Sequence, residues 1–250
     1  MEEAQRIFDY LPVNPPDEEY IRFLWDAFES NYSNEKYQFS FIAFHMLFMC
    51  FVYYQIAKIY KIDPDTCKNL MVFTGKVQDH IEDYENKTLQ GKDVTLAPLQ
   101  KFSLENERTI MGLFLAIQCD REEIRQFKTI VDSRNKIAHS NGNIFYKTSL
   151  AVDTQISDIV SCIEKIQFKS KSIIDNFFKN FLLSSQDIND REFPDDESQI
   201  SEIFISRNYI SLADIEIAKL MDISTFSNEP GFVNIQTLTN NLKIKFPNEV

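Results

Sequence analysis

Residues 132–142 concentrate the side chains best suited to chemistry: Arg134, Asn135 and His139, with Asp132, Ser133, Lys136, Ser140, Asn141 and Gly142 around them. Asn135 and His139 are spaced i, i+4 and share one face of a predicted helix. Arg134 lies five residues before His139, about 140° away on an ideal helix. Together they offer a fixed cation, an amide and an imidazole that titrates near neutral pH. That set suits a phosphodiester. Arginine binds phosphate oxygens with paired donors, and histidine can take or give a proton. An RNA 2′-hydroxyl supplies its own nucleophile, so the chemistry requires no metal or other cofactor. The same residues also fit a plainer role, because Arg and His near a helix C-terminus interact favourably with its dipole and cap its carbonyls.

The element that must position these groups is a helix over about 120–138. Asp120 caps it, Glu122 and Glu123 occupy its first turn, and Ile124, Phe127, Ile130 and Val131 form its apolar stripe. Asn141-Gly142 stops it. Its neighbourhood is locally basic. From Arg121 to Lys147 six Lys/Arg face three acids, and from Lys165 to Lys179 four lysines face one acid. If the two basic helices pack together they form an anion-binding groove. Arg125, Lys128 and Lys136 are the RNA-binding candidates.

Upstream, the spacing predicts a helix over 17–31, introduced by Pro15-Pro16 and carrying Ile21, Leu24, Trp25 and Phe28 inward. A long apolar helix covers about 36–61. Residues 37–57 carry no formal charge, enough to span a bilayer by length. Ser40, His45 and Gln55 dilute that stretch, and the Lys/Arg flanks are weak. It therefore reads as the buried central helix of a bundle, with a membrane span as the alternative. A further helix is expected over 65–86, with Leu70, Phe73, Val77 and Ile81 on one side. Residues 87–102 read as a loop, and 103–118 as a helix capped by Ser103. Residues 150–184 read as a long helix with a break near Ser170. Acid-rich 186–199 reads as a linker or exposed loop. Short helices follow near 199–209, 211–222 and 233–245. The expected organisation is a bundle over 1–185, a linker over 186–199 and a small helical region over 200–250.

Composition bounds these readings. The chain has 250 residues and a formal net charge of −12, with 44% hydrophobic residues, 22 Phe and only five Gly. A core of useful size can form without staples, and the fold class is all-α. Few glycines argue against an all-β sandwich or a glycine-looped nucleotide fold. The acidity excludes a generic nucleic-acid coat but not a local basic site. Cys50, Cys67, Cys119 and Cys162 form no metal-ligand pair and read as reduced thiols. Without a basic, apolar leader the chain reads as cytoplasmic. No P-loop and no Gly-x-Ser-x-Gly elbow occur.

The stretch from Arg134 to His139, with its polar residue directly after the Arg, resembles the Arg-x4-His motif of HEPN domains. The resemblance covers about 1–185. It implies an all-α, HEPN-like helical bundle, here with a long apolar central helix and a small helical C-terminal extension. It also implies a metal-independent endoribonuclease of toxin–antitoxin or antiphage defence, without cofactor. Arg134 would hold the scissile phosphate, His139 would act as general base or acid, and Asn135 would orient one of them. Two motif copies would face each other across a homodimer interface, and the product would be a 2′,3′-cyclic phosphate. An antitoxin or regulatory partner would control it. Some HEPN toxins carry a modifiable Tyr two residues after the His, where this chain has Asn141. The alternative within the same resemblance is a non-catalytic RNA- or nucleotide-binding or dimerisation module.

Overall fold

The computed structural model describes residues 1–92, 94–139 and 142–247; Asp93, Ser140, Asn141 and 248–250, together with the side chain of Phe73, lie outside the described residues. The Asn141 readings and the inward place of Phe73 therefore fall outside them as well. The chain is about 76% helical, with no strand among the described residues, so the all-α class holds.

Contacts group the chain into two units, Met1–Ile7 with Pro16–Lys169, and Phe8–Pro15 with Ser170–Val250. The first helices are α1 (Glu2–Gln5), α2 (Ile7–Tyr10), α3 (Glu18–Ser33) and α4 (Tyr37–Ile62). Helix α4 is the axis of the first unit, touching α3 along its length and several later helices. The reason is its sequence. With apolar residues on every side, no face gains by meeting water. Phe41, Phe44, Phe48 and Phe51 are fully buried, and the polar Ser40 and Gln55 bond to the Phe28 carbonyl and to Gln167. Its most apolar window is 83% buried against protein. The only helix among the described residues that is long and apolar enough to cross a membrane is thus a core helix here.

The predicted helix over 65–86 is interrupted. It forms α5 (Pro64–Leu70), a 3-10 turn (Met71–Phe73) and α6 (Gly75–Leu89). The Thr74 hydroxyl donates to the Met71 carbonyl at 2.9 Å, and Gly75 follows, so the ladder breaks there. The expected loop 87–102 contains α7 (Pro98–Phe102), where Pro98 takes the first helical position that tolerates a missing N–H. The next helix is capped by Asn106 and not Ser103: the Asn106 side chain accepts from the Arg108 and Thr109 amides. This gives α8 (Glu107–Ile110), continued as a 3-10 helix over Met111–Ile117. Helix α9 (Arg121–Ala138) starts with a full capping box. Asp120 accepts from the Glu122 and Glu123 amides at 2.8 Å, and Glu123 accepts from the Asp120 amide at 2.7 Å. Helix α10 (Ser149–Lys169) completes the unit.

The second unit begins at the break foreseen near Ser170. Helix α11 (Lys171–Ser184) belongs to it, so the boundary lies at 169/170 and not after 185. Residues 186–199 are built into this unit. The buried Arg191 side chain donates to the Ser185 carbonyl at 2.6 Å and to Asp196 at 2.5 Å. Helix α12 (Asp196–Ser198) and a π-helical stretch (Gln199–Ile205) follow, then α13 (Leu212–Lys219) behind a complete Ser211/Asp214 capping box, and α14 (Phe232–Lys245). Segment Phe8–Pro15 joins this unit through an antiparallel bridge from Pro12 to Ser211.

Candidate functional site

The C-terminal end of α9 carries Arg134 and Asn135, and the helix ends at Ala138. His139 follows in extended backbone, with φ −92° and ψ 142°, as an exposed residue. Among the described residues no hydrogen bond or ion pair joins His139 or Asn135 to a partner, and none joins Arg134 to His139. The motif is therefore split by the geometry of its own helix. Arg134 sits near the direction of buried Phe127 and Ile130, while His139 leaves on the solvent side.

Arg134 is held by Glu107. Its Nη2 forms an ion pair with Glu107 Oε1, with side-chain exposures of 26% and 20%. The other carboxylate oxygen of Glu107 accepts from His45 Nε2 at 2.9 Å. His45 lies fully buried in α4, against the rings of Phe41 and Phe48. Three elements thus meet at one carboxylate: the middle of α4, the first residue of α8 and the C-terminal part of α9.

The electrostatics fix the protonation states. Burial pushes the Glu107 carboxyl up, but the His45 and Arg134 hydrogen bonds outweigh it and hold the group at about 2. Burial holds His45 below its ordinary range, outweighing the Glu107 hydrogen bond and charge that favour the imidazolium, and the Arg134 charge adds to the lowering. At neutral pH the cluster is a neutral imidazole, a carboxylate and a guanidinium. His45 Nε2 must then carry the proton it donates, which leaves Nδ1 as a buried lone pair with no partner. Neither His45 nor Glu107 stood out as a site residue from the sequence. The available signal was a histidine inside a charge-free helix, since a buried imidazole requires a polar partner.

Glu107 also borders a cavity of about 350 Å³ with Asp17, Tyr20, Cys50 and Tyr53. Burial raises both phenols and pushes the Cys50 thiol up to about 12. The thiols of Cys67, Cys119 and Cys162 are likewise pushed up to about 12, chiefly by burial. All four cysteines are buried free thiols, and none is a nucleophile at ordinary pH.

The RNA-binding candidates separate. Arg125 and Lys128 line one groove of about 770 Å³ with Arg108 and Arg121, while the exposed Lys136 does not line it. The expected pairing of two basic helices is corrected. Lys165 donates to Gln126, and Lys169 bonds the Gln118 carbonyl and Glu123, so the α10 lysines contact a different side of α9. Lys171 and Lys179 belong to the second unit. The groove's other wall is α8. No group of three or more His, Cys, Asp or Glu arranged to hold a metal ion occurs among the described residues.

Comparison of the chain with protein-family models, with curated proteins and with solved structures found no match to any of them.

Proposed function

We propose that the chain is a metal-independent endoribonuclease of the HEPN type. It acts in the cytoplasm as a homodimer in bacterial toxin–antitoxin or antiphage defence, under an antitoxin or regulatory partner. The observation that carries this reading is His139: an exposed imidazole without a partner, one residue past a helix whose solvent face bears Arg121, Arg125 and Lys128. In the reaction, a 2′-oxygen attacks the adjacent phosphorus. The new bond is O2′–P, the broken bond is P–O5′, and the product is a 2′,3′-cyclic phosphate. His139 takes the 2′-hydroxyl proton, and the partner's copy of the same imidazole returns one to the leaving 5′-oxygen. Arg134, steadied by Glu107, stabilises the charge that builds on the phosphoryl oxygens. Asn135 orients the imidazole or a phosphate oxygen.

One observation favours the non-catalytic alternative, an RNA-binding or dimerisation module. Arg134 already shares its charge with Glu107, so it meets a phosphate with its cation partly spent. The discriminating experiment incubates purified protein with mixed RNA in EDTA and analyses the new 3′ ends. Cleavage leaving 2′,3′-cyclic phosphate, absent in His139→Ala, is the expected result. Binding without turnover in both proteins supports the module instead, and equal cleavage in both removes His139 from the chemistry.

A further inference from the structure

The spacing of charges along α9 is regular. Arg121, Arg125, Lys128, Asp132 and Asn135 follow steps of 4, 3, 4 and 3 residues, which keep to one face, and His139 follows one residue past the helix end. From Arg121 to Asn135 the helix axis advances ~21 Å at about 1.5 Å per residue. Not all these charges are available. Glu122 holds Arg125 with two bonds, at 3.0 and 2.7 Å, and Asp132 pairs with Arg108. Arg121 and Lys128 have no ion pair or hydrogen bond among the described residues, and both line the groove. Cations left unpaired beside two satisfied pairs are suited to anions from outside.

A second cavity, of about 640 Å³, adjoins the groove and shares Arg108 and Lys128 with it. Its remaining walls include Asn69, Leu70, Thr109 and Leu115. The Asn106 cap accepts two amides through its side-chain oxygen, which leaves its amide nitrogen to donate. Apolar walls with a few amide groups, beside a row of cations, match a nucleobase attached to a charged backbone. A base held in a duplex cannot turn aside into such a cavity, whereas an unpaired base can.

We propose that a single-stranded RNA segment lies along the exposed face of α9, with its phosphates on Arg121 and Lys128, one base in the adjoining cavity, and the strand leading to His139. This rests on the reading that RNA is the substrate, and it names the strand state and the path.

The test uses full-length His139→Ala protein, so that RNA is bound but not cut. Affinity for a 12-nucleotide single strand and for a duplex of the same sequence is measured across a salt series. Arg121→Gln with Lys128→Gln is expected to flatten the single-strand salt slope by about 1.4, two phosphate contacts at roughly 0.7 each. Arg22→Gln with Lys87→Gln, the same charge change on other surfaces, should leave the slope unchanged. Thermal melts establish that each variant is folded. An unchanged slope in the Arg121/Lys128 variant, no binding at all, or a duplex that binds as tightly as the single strand each overturns the proposal. The two readings fail separately. If the slope flattens as expected but wild-type protein does not cleave RNA, the path stands and the nuclease falls. If wild-type protein cleaves and the Arg121/Lys128 variant binds and cleaves equally well, the nuclease stands and the path falls.

Discussion

His45 and His139 sit in the same unit and differ in what surrounds the ring. His45 is fully buried between phenylalanines and spends Nε2 on Glu107, and burial keeps it neutral. His139 is exposed at a helix end with no partner among the described residues. One imidazole is fixed and holds a carboxylate that in turn holds Arg134. The other is free to meet a substrate. An enzyme that cleaves RNA needs both kinds of group, a positioned cation and a proton carrier that changes state. Under the proposed function, chemistry and support are divided between two residues of one type.

His139→Ala is expected to lower cleavage by about 10²–10⁴-fold, the usual contribution of a general acid–base group. Its melting temperature should not move, because the side chain buries nothing. A change in stability without a change in rate would assign His139 a structural role.

At the buried member the effect is on folding. Glu107→Ala leaves Arg134 uncompensated and His45 Nε2 without its acceptor. Breaking one side of a fully buried pair costs about 3–5 kcal/mol. Here both partners keep partial exposure, so about 2–3 kcal/mol is expected from urea unfolding. Glu107→Gln should cost less, since an amide oxygen still accepts from His45. Equal stability of wild type and Glu107→Ala would show that the carboxylate does not organise the cluster.

Acid sharpens the same contrast. His45 is depressed below its ordinary 6.5 in the folded state. The unfolded chain therefore binds that proton first, and stability is lost as pH falls below about 6.5. Glu107 is held at about 2 against an ordinary 4.5, so its contribution is complete above 4.5 and is lost between 4.5 and 2. Stability measured against pH should decline through both windows. His45→Gln should make the first decline shallower, leaving the share of His80, and Glu107→Gln the second, leaving that of Asp83, Glu85, Glu192, Asp195 and Asp222.

The smallest effects test the caps that aim the cluster. Asn106→Ala and Asp120→Ala should each cost about 1 kcal/mol by denaturant unfolding. Only Asn106→Ala should also reduce cleavage, because it frees the turn that carries Glu107. Equal effects of both on cleavage would mean that α8 has no special role in placing Arg134.

Much of the frame was legible from local pattern. Asp120 with Glu123 announced α9, the charge-free residues announced α4, and Ser170 marked a break between helices. What escaped were choices settled by more distant packing. Ser103 is the cap the pattern offers, whereas Asn106 is the one used, its side-chain oxygen accepting from the Arg108 and Thr109 amides. The acidic run 186–199 looked like linker because Arg191, its one basic residue, cannot be seen from sequence to lie buried against Asp196. The site divided in the same way. Arg134, Asn135 and His139 were visible as a spacing. Glu107 joins them from 27 residues upstream of Arg134, and His45 lies 62 residues before Glu107, so no local pattern could bring these groups together.

The most direct test substitutes each histidine in turn, His45→Gln and His139→Gln, and measures melting temperature and metal-free RNA cleavage on both. The expected pattern is crossed. His139→Gln lowers cleavage by about 10²–10⁴-fold at an unchanged melting temperature, and His45→Gln lowers the melting temperature while keeping cleavage measurable in the folded fraction. Full cleavage by His139→Gln, or complete loss in folded His45→Gln, would contradict the division of roles between the two imidazoles.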